Sequence, residues 1–423
     1  MIAANNPNLK SWVSVPKDSD FPIQNLPFGI IGNAILSHRV AVRIGDYAID
    51  LKALAELGYL DNTDFEIKDF DHLYLNTMMK KGKIAVRNLR NRISELLSDT
   101  NKDLQNNTKH KEQVLHLVST LDVHMPVQIG DYTDFYSSKE HATNVGMMFR
   151  DPANALLPNW LWIPVAYHGR ASSIVVSGKN IHRPKGQIKP SPDENPIFSA
   201  SRQVDFELEM GFITFDGKEL GDSISVEEAE SFIFGLCLFN DWSARDIQAW
   251  EYVPLGPFLG KNFASSISAW IVTLDALEPF SIESPEQNPK VLPYLEFEGK
   301  KAYDIQLQVA IQGEKIEETV VCNSNFKYLY WNMSQQLAHH TSNGCNIRCG
   351  DLLGSGTISG PTQNSFGSML ELTWKGTKPL YLKDGSERKF IKDGDSVIMR
   401  GFSEKAGLRI GFGELKSTLL PSK

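Results

Sequence analysis

The chain has 423 residues, 41% hydrophobic and 22% charged, a balance that excludes a disordered or membrane-embedded protein. A formal charge of −8 leaves no basic footprint for nucleic acid. Four cysteines, at 237, 322, 345 and 349, do not make a disulfide framework, so free thiols in a reducing, cytoplasmic setting are expected.

The first residues lack a basic start followed by an apolar stretch, and no signal peptide is expected. Residues 30–51 alternate as short strands, and R-V-A-V-R-I-G-D-Y-A-I-D-L reads as a hairpin turning at Gly45-Asp46. From Leu51 to Leu97 apolar residues recur at three and four spacing, which predicts helix. The polar run S-D-T-N-K-D-L-Q-N-N-T-K-H-K is a loop. A boundary near 120–128, with M-P-V-Q-I opening the next unit, divides the chain into residues 1–125 and 126–423. Beyond it P-N-W-L-W-I-P-V-A-Y, A-S-S-I-V-V-S-G, F-E-L-E-M-G-F-I-T-F and F-I-F-G-L-C-L-F are all β-rich. The last of these, at 232–239, is far too short to span a bilayer. The Pro-rich stretches 189–196 and 283–293 are loops, and the segment 185–200 looks free to vary. S-V-E-E-A-E-S-F and Y-L-Y-W-N-M-S-Q-Q-L-A-H-H predict helices, and the last hundred residues carry glycine-turned strands. The chain is mainly β with some α, a small mixed N-terminal domain followed by a large β domain.

Three stretches could carry chemistry. In D-F-E-L-E-M-G an extended strand would put Asp205, Glu207 and Glu209 on one face and Phe206, Leu208 and Met210 on the other. Alternating acids are commonly a wet face of an antiparallel sheet; acids spaced about 6–7 Å apart also suit a cation. F-N-D-W-S-A-R-D delivers Asn240, Asp241, Arg245 and Asp246 where an apolar strand emerges. I-G-D-Y-T-D-F-Y-S-S-K-E-H-A-T-N-V-G-M-M-F-R packs Asp131, Asp134, two tyrosines, His141 and Arg150 among small residues. Carboxylates without paired histidines favour Mg²⁺ or Ca²⁺ over zinc, and the C-x3-C of Cys345 and Cys349 lacks a second ligand pair. G-D-L-L-G-S-G-T-I-S-G has no G-K-[ST], so it reads as turns whose backbone N–H groups could hold a ligand oxygen. No G-x-S-x-G elbow supports a serine hydrolase.

Taken in order, D-Y-T-D-F-Y-S-S, H-A-T-N-V-G, Y-H-G-R-A-S-S-I-V-V-S-G, D-F-E-L-E-M, N-D-W-S-A-R-D-I-Q, W-E-Y-V-P-L-G-P-F-L-G-K, N-G-C-N-I-R, S-G-T-I-S-G and S-F-G-S-M-L-E-L-T-W-K-G, preceded by S-D-F-P-I-Q-N-L-P-F-G, resemble the fumarylacetoacetate hydrolase family over nearly the whole chain. The resemblance implies an SH3-like N-terminal barrel domain, a C-terminal β-roll, and a homodimer with the site in the C-terminal domain. It implies hydrolysis of the C–C bond of 4-fumarylacetoacetate, a small diketo acid, the last step of tyrosine and phenylalanine breakdown. Carried over by position, Asp134, Glu207, Glu209 and Asp241 would hold Mg²⁺ or Ca²⁺, with Asp205 outside the ligand set. Lys261 and Ser265 would stand beside a second, structural cation, Ser265 replacing a threonine familiar there. His141 matches a general base and Glu371 the acid that orients it. Arg245, Gln248 and Lys261 match groups that stabilise developing charge, and Tyr136, Arg150, Tyr167, Arg245, Gln248, Tyr252 and Thr357 match substrate contacts. Three other readings stay open: a sister hydrolase, decarboxylase or isomerase of the family, against which the length of the chain speaks; a non-catalytic Ca²⁺-binding scaffold; and a β-rich globule with wet acidic faces.

Overall fold

The structure, a computed structural model, describes residues 2–423. Its N-terminal part is built on a five-stranded antiparallel sheet in the spatial order 115–117, 47–50, 39–44, 28–32, 122–124, the small barrel-like unit the resemblance implies. The hairpin between Arg39–Ile44 and Tyr47–Asp50 turns at Gly45-Asp46, with Ile44 opposite Tyr47. Asp50 then caps the helix Leu51–Glu56 by accepting the Ala53 N–H at 3.0 Å.

The expected helix over 51–97 is three separate helices, Leu51–Glu56, Asn76–Met79 and Gly82–Leu97, with a 3-10 turn at Ile67–Phe70. The apolar spacing marks a common buried side, not a continuous rod. Gly58, at φ 78°, reverses the chain after the first helix. The segment read as loop also gives its end to a helix, Thr108–Val114, because Asn107 accepts the His110 N–H as an N-cap.

The C-terminal part holds an eight-stranded sheet. Strands 166–169, 132–135, 352–354, 208–214, 233–240, 265–267 and 174–176 lie in that order, and 272–273 also pairs with 233–240. A second sheet orders 319–325, 306–312, 396–405, 408–420 and 181–182. Leu208, Met210, Leu236 and Leu238 from the first and Leu307, Val309, Val397 and Met399 from the second share one core. Each such side chain, fully buried, stabilises the fold by about 1.5–3 kcal/mol. The opposite face of the first sheet is apolar too. Ile213, Phe234, Cys237 and Phe239 join Phe28, Val42 and Leu89 of the N-terminal part in a second core, and Phe28 and Ile271 exchange both backbone hydrogen bonds. The N-terminal part therefore backs the sheet whose far end carries the acids.

Other expectations are corrected locally. In P-N-W-L-W-I-P-V-A-Y only the end is strand, Ala166–Gly169; the rest winds into turns, with Trp160 packed on Tyr330 at 5.2 Å. In S-V-E-E-A-E-S-F, Ser225 and Glu228 do exchange cap-like hydrogen bonds, yet only a 3-10 turn at Ala229–Phe232 follows before the strand Ile233–Asn240 takes over. Met333–Thr341 is a helix, started by a capping box of Asn332 and Gln335. The segment thought free to vary is a hairpin, Lys185–Ile188 with Ile197–Ala200. All four cysteines are free, and among the described residues no helix is long and apolar enough to cross a membrane.

Candidate active site

The acidic row does not face water: Asp205, Glu207 and Glu209 are 0%, 5% and 0% exposed. Nor is it one strand. Val204–Asp205 pairs with Ser243–Ala244, Glu207 makes an isolated bridge to Ser368, and the long strand begins at Leu208. Phe206, Leu208 and Met210 still alternate into the core. Asp134 comes from the strand Tyr132–Phe135, and Asp241 follows directly on Ile233–Asn240. These strands converge at one end of the sheet, and one oxygen from each of Asp134, Glu207, Glu209 and Asp241 lies within 4.8 Å of the others, the one such group among the described residues. Asp131, three residues before Asp134, is exposed and pairs with Arg348 instead. Gly354, opposite Asp134, makes room for the group: a Cβ there would meet Asp134 Oδ1 and Glu209 Oε2, both at 3.0 Å.

The group fits a hard cation. Asp134 Oδ1 and Glu209 Oε1 are buried without a hydrogen-bond partner. Burial, and then the charges of the neighbouring carboxylates, push Asp134 and Glu209 well above the usual carboxyl range. Protein charges alone do not keep all four ionised; an oxygen-seeking divalent ion would, and the donors are all oxygen. Glu207 behaves differently. Its burial is more than offset by Lys261, Arg245 and His141, and its carboxyl is lowered to about 2.

Lys261 supplies much of that compensation. Its ammonium donates to Glu207 Oε2 and to Asp241 Oδ2, the latter at 2.7 Å. Burial works against its charge, but Asp241 and Glu207 hold its pKa above the ordinary lysine value. A protonated amine has no lone pair for a metal, so the side chain is a charge partner of the ligands. One of its three N–H donors stays unassigned. Ser265 donates its hydroxyl to Asp241 Oδ1 at 2.7 Å.

His141 and Glu371 meet across 230 residues of sequence: imidazole Nδ1 lies 2.7 Å from Glu371 Oε2, and both residues are buried. The helix Lys139–Phe149 carries the histidine, started by Ser138, which accepts the His141 N–H. The short helix Met369–Leu372 carries the glutamate. Three groups the sequence did not single out complete the Glu371 carboxylate. Asn144 Nδ2 donates to Oε1 at 2.9 Å, and the Ser359 and Ser368 hydroxyls donate to Oε2 at 2.9 and 2.8 Å. Burial alone would raise the pKa of Glu371, but His141 and these donors lower it below the usual value. A carboxylate on Nδ1 assigns the proton to that nitrogen and leaves Nε2 as the base.

Arg245 joins the two halves. Its Nε donates to Asp205 Oδ2 at 2.8 Å, and its Nη1 lies 2.8 Å from Glu207 Oε1 and donates to Gln248 Oε1 at 3.3 Å. Its Nη2 is buried and without a partner. Tyr167 donates its hydroxyl to Asp241 Oδ2 at 3.0 Å, and the Tyr136 ring meets His141 edge-on at 5.2 Å. Thr357 is buried beyond Gly356. The glycine-rich run is less open than its composition implied, since the Gly356 N–H is already donated to Glu209 Oε2 at 3.0 Å. Arg150 and Tyr252 are exposed, and among the described residues neither is hydrogen-bonded to the cluster; Arg150 donates to the Ala155 carbonyl.

Comparison with known proteins matches two family descriptions, fumarylacetoacetase N-terminal over residues 24–126 and fumarylacetoacetate hydrolase C-terminal over residues 131–420. The chain is 51% identical over 420 residues to the fumarylacetoacetase of Dictyostelium discoideum, covering 98% of each chain. It is 49% identical over 414 residues to the fumarylacetoacetase of Homo sapiens, covering 97% of this chain and 99% of that one. Among solved structures, the fumarylacetoacetate hydrolase from psychrophilic Exiguobacterium antarcticum has the same fold, with a TM-score of 0.53 at 15% identity over 94% of this chain and 100% of that one.

Proposed function

The chain belongs to the fumarylacetoacetate hydrolase family, and on that premise we propose that it hydrolyses the C–C bond of 4-fumarylacetoacetate to fumarate and acetoacetate, the closing step of tyrosine and phenylalanine breakdown. The observation that carries the reading is a buried His–Glu pair near enough for its histidine to act on Glu207 of a buried four-carboxylate group, both drawn from distant parts of the chain.

Asp134, Glu207, Glu209 and Asp241 would hold a divalent cation, Mg²⁺ or Ca²⁺. When bound, it supplies Lewis-acid polarisation of the diketone oxygens and stabilises negative charge on the departing fragment. The chain's own residues do the rest. His141 Nε2 takes a proton from water as the water oxygen attacks the fumaryl carbonyl carbon, which becomes the second carboxylate of fumarate. Glu371 holds the imidazole and stabilises it once protonated, the role of the carboxylate in a catalytic triad. The free Nη2 of Arg245, the third N–H of Lys261 and the Gln248 amide are the donors for the oxyanion, each worth about 10²–10³ in rate. When the C–C bond breaks, its electron pair leaves on the acetoacetate carbon, and protonated His141 returns the proton there. Buried or half-buried Tyr136, Tyr167 and Thr357, and exposed Arg150 and Tyr252, would contact the substrate, as the resemblance implies. A second cation of the family, beside Asp241, would have the Ser265 hydroxyl as its neighbour, while the Lys261 ammonium offers it no lone pair. The division at 125/126 and a cytoplasmic location rest on the sequence pattern, and the homodimer on the family resemblance; sedimentation of the purified chain tests the dimer.

The test is loss of fumarylacetoacetate ultraviolet absorbance with and without EDTA, then with Mg²⁺ or Ca²⁺ restored. Metal-dependent release of fumarate and acetoacetate is expected. Metal binding without turnover would favour a sister substrate.

A further inference from the structure

Asp205 is the one acid of its row outside the metal-type group, yet it is 0% exposed. A buried carboxylate is costly unless its oxygens are used. Here they are used on two elements at once. Oδ2 accepts Arg245 Nε at 2.8 Å and the Leu370 N–H at 3.0 Å; Oδ1 accepts the Met369 N–H at 2.6 Å. Met369 and Leu370 form the first turn of the helix that carries Glu371. Arg245 carries a buried Nη2 donor that has no partner among the described residues. Asp205 is itself fixed by backbone pairing with Ser243, two residues before Arg245. Three hydrogen bonds from one carboxylate thus reach the guanidinium on one side and, through one short helix, the Glu371–His141 pair on the other.

We propose that Asp205 is a positioning residue that sets the free Arg245 donor and the Glu371–His141 pair in one frame, so that the oxyanion donor and the proton-transfer pair keep a fixed separation. The inference rests on the hydrolase reading given above. It differs from a role in stability alone, because Asp205 acts in part through Glu371: its loss should cost less once Glu371 is already lost.

The test is Asp205→Asn, which keeps the shape but turns one acceptor into a donor facing N–H groups. The kcat should fall roughly 10²-fold, the order expected of a 1 Å misplacement, with a smaller change in Ca²⁺ affinity by calorimetry, because Asp205 reaches the ligand Glu207 only through Arg245. In the Glu371→Gln background, where only the Arg245 arm is left to disturb, the same substitution should cost clearly less; a full second loss of about 10²-fold would overturn the proposal. A measurement without substrate separates this from the choice of reaction. The Nδ1 proton of His141, hydrogen-bonded to a buried carboxylate, should give a far-downfield NMR resonance, assigned by its disappearance in Glu371→Gln. Asp205→Asn should shift or broaden it, and an unmoved resonance would overturn the proposal even if turnover is lost. Absence of turnover in the unaltered chain would instead count against the substrate. Should Asp205→Asn not fold, Asp205→Glu, which keeps the charge and displaces it by one methylene, carries the same cycle and the same spectrum.

Discussion

Glu209 and Glu371 are equally buried, at 0% and 1% exposure, and their surroundings drive them in opposite directions. Glu371 accepts from His141, Asn144, Ser359 and Ser368, and its pKa is held below the usual glutamate value. Glu209 accepts one backbone N–H, keeps an oxygen with no partner, and lies among acids that push its pKa well above that value. Burial sets the penalty for charge; the donors decide whether it is met. The His141–Glu371 half of the site is therefore complete within the chain, and the carboxylate half would be completed by the proposed cation. That contrast can be broken or sharpened by treating the halves separately.

The largest effect should come from the cation. Chelation should lower kcat/KM by roughly 10³-fold or more, because Lewis-acid stabilisation is worth several kcal/mol and each 1.36 kcal/mol is tenfold. Restored Mg²⁺ or Ca²⁺ should recover the rate and raise Tm, since an ion that binds only the folded chain stabilises it by mass action. A chelated protein with undiminished turnover would break the assignment of the acidic group. Next in size is Glu371→Gln. The wrong partner for Nδ1 should cost roughly 10²–10⁴ in kcat, while calorimetry should find Ca²⁺ affinity unchanged. Glu209→Gln should do the reverse to the metal, weakening its binding. Parallel losses of metal affinity in both variants would erase the distinction between the halves.

The sequence exposes these halves unequally. Acids alternating in D-F-E-L-E-M-G, with Asp241 at a strand end, are visible as a pattern. That they are buried is not, because a wet strand alternates in the same way. The pairing of His141 with Glu371 has no local signature at a separation of 230 residues, and only the resemblance joins them. Two local signals were there to be used. Asn144 lies three residues after His141, on the same side of one helix. Ser368-Met-Leu-Glu371 has the form of a capping box. Ser368 does cap the helix, but Glu371 turns its carboxylate to His141, Asn144 and Ser359 and leaves the capping box unclosed, while the Met369 and Leu370 N–H groups are held by Asp205 from far along the chain. The long helical reading of 51–97 failed for a different reason: periodicity reports which side is buried, not where the backbone turns, and the break at Gly58 is a φ requirement.

Asn144→Ala refines the contrast at smaller scale. It removes one donor from a carboxylate that keeps three others, so Glu371 stays ionised and His141 stays paired. The expected loss is about tenfold in kcat, the order of one hydrogen bond to a charged group, with metal affinity untouched. A loss as large as that of Glu371→Gln would mean that the amide alone, and not the full set of donors, holds the carboxylate in place.

The smallest effect is one of stability and acid. Burial raises the pKa of Glu371, but the attraction of His141 and the donors from His141, Asn144 and Ser359 more than reverse it, so the folded value lies below the unfolded one. The unfolded chain then binds the proton more readily, and folding is favoured by the ionised form. That contribution is fully present above the ordinary glutamate range near pH 4.3 and disappears as pH falls through the lower folded value. Glu371→Gln has no such proton to bind. The difference in unfolding free energy between the unaltered chain and Glu371→Gln, measured by urea titration from neutrality downward, should therefore be level at first and narrow only in the acid range. A gap that widens on acidification would reverse the sign and place Glu371 with Glu209, among the carboxyls that the fold alone does not keep charged.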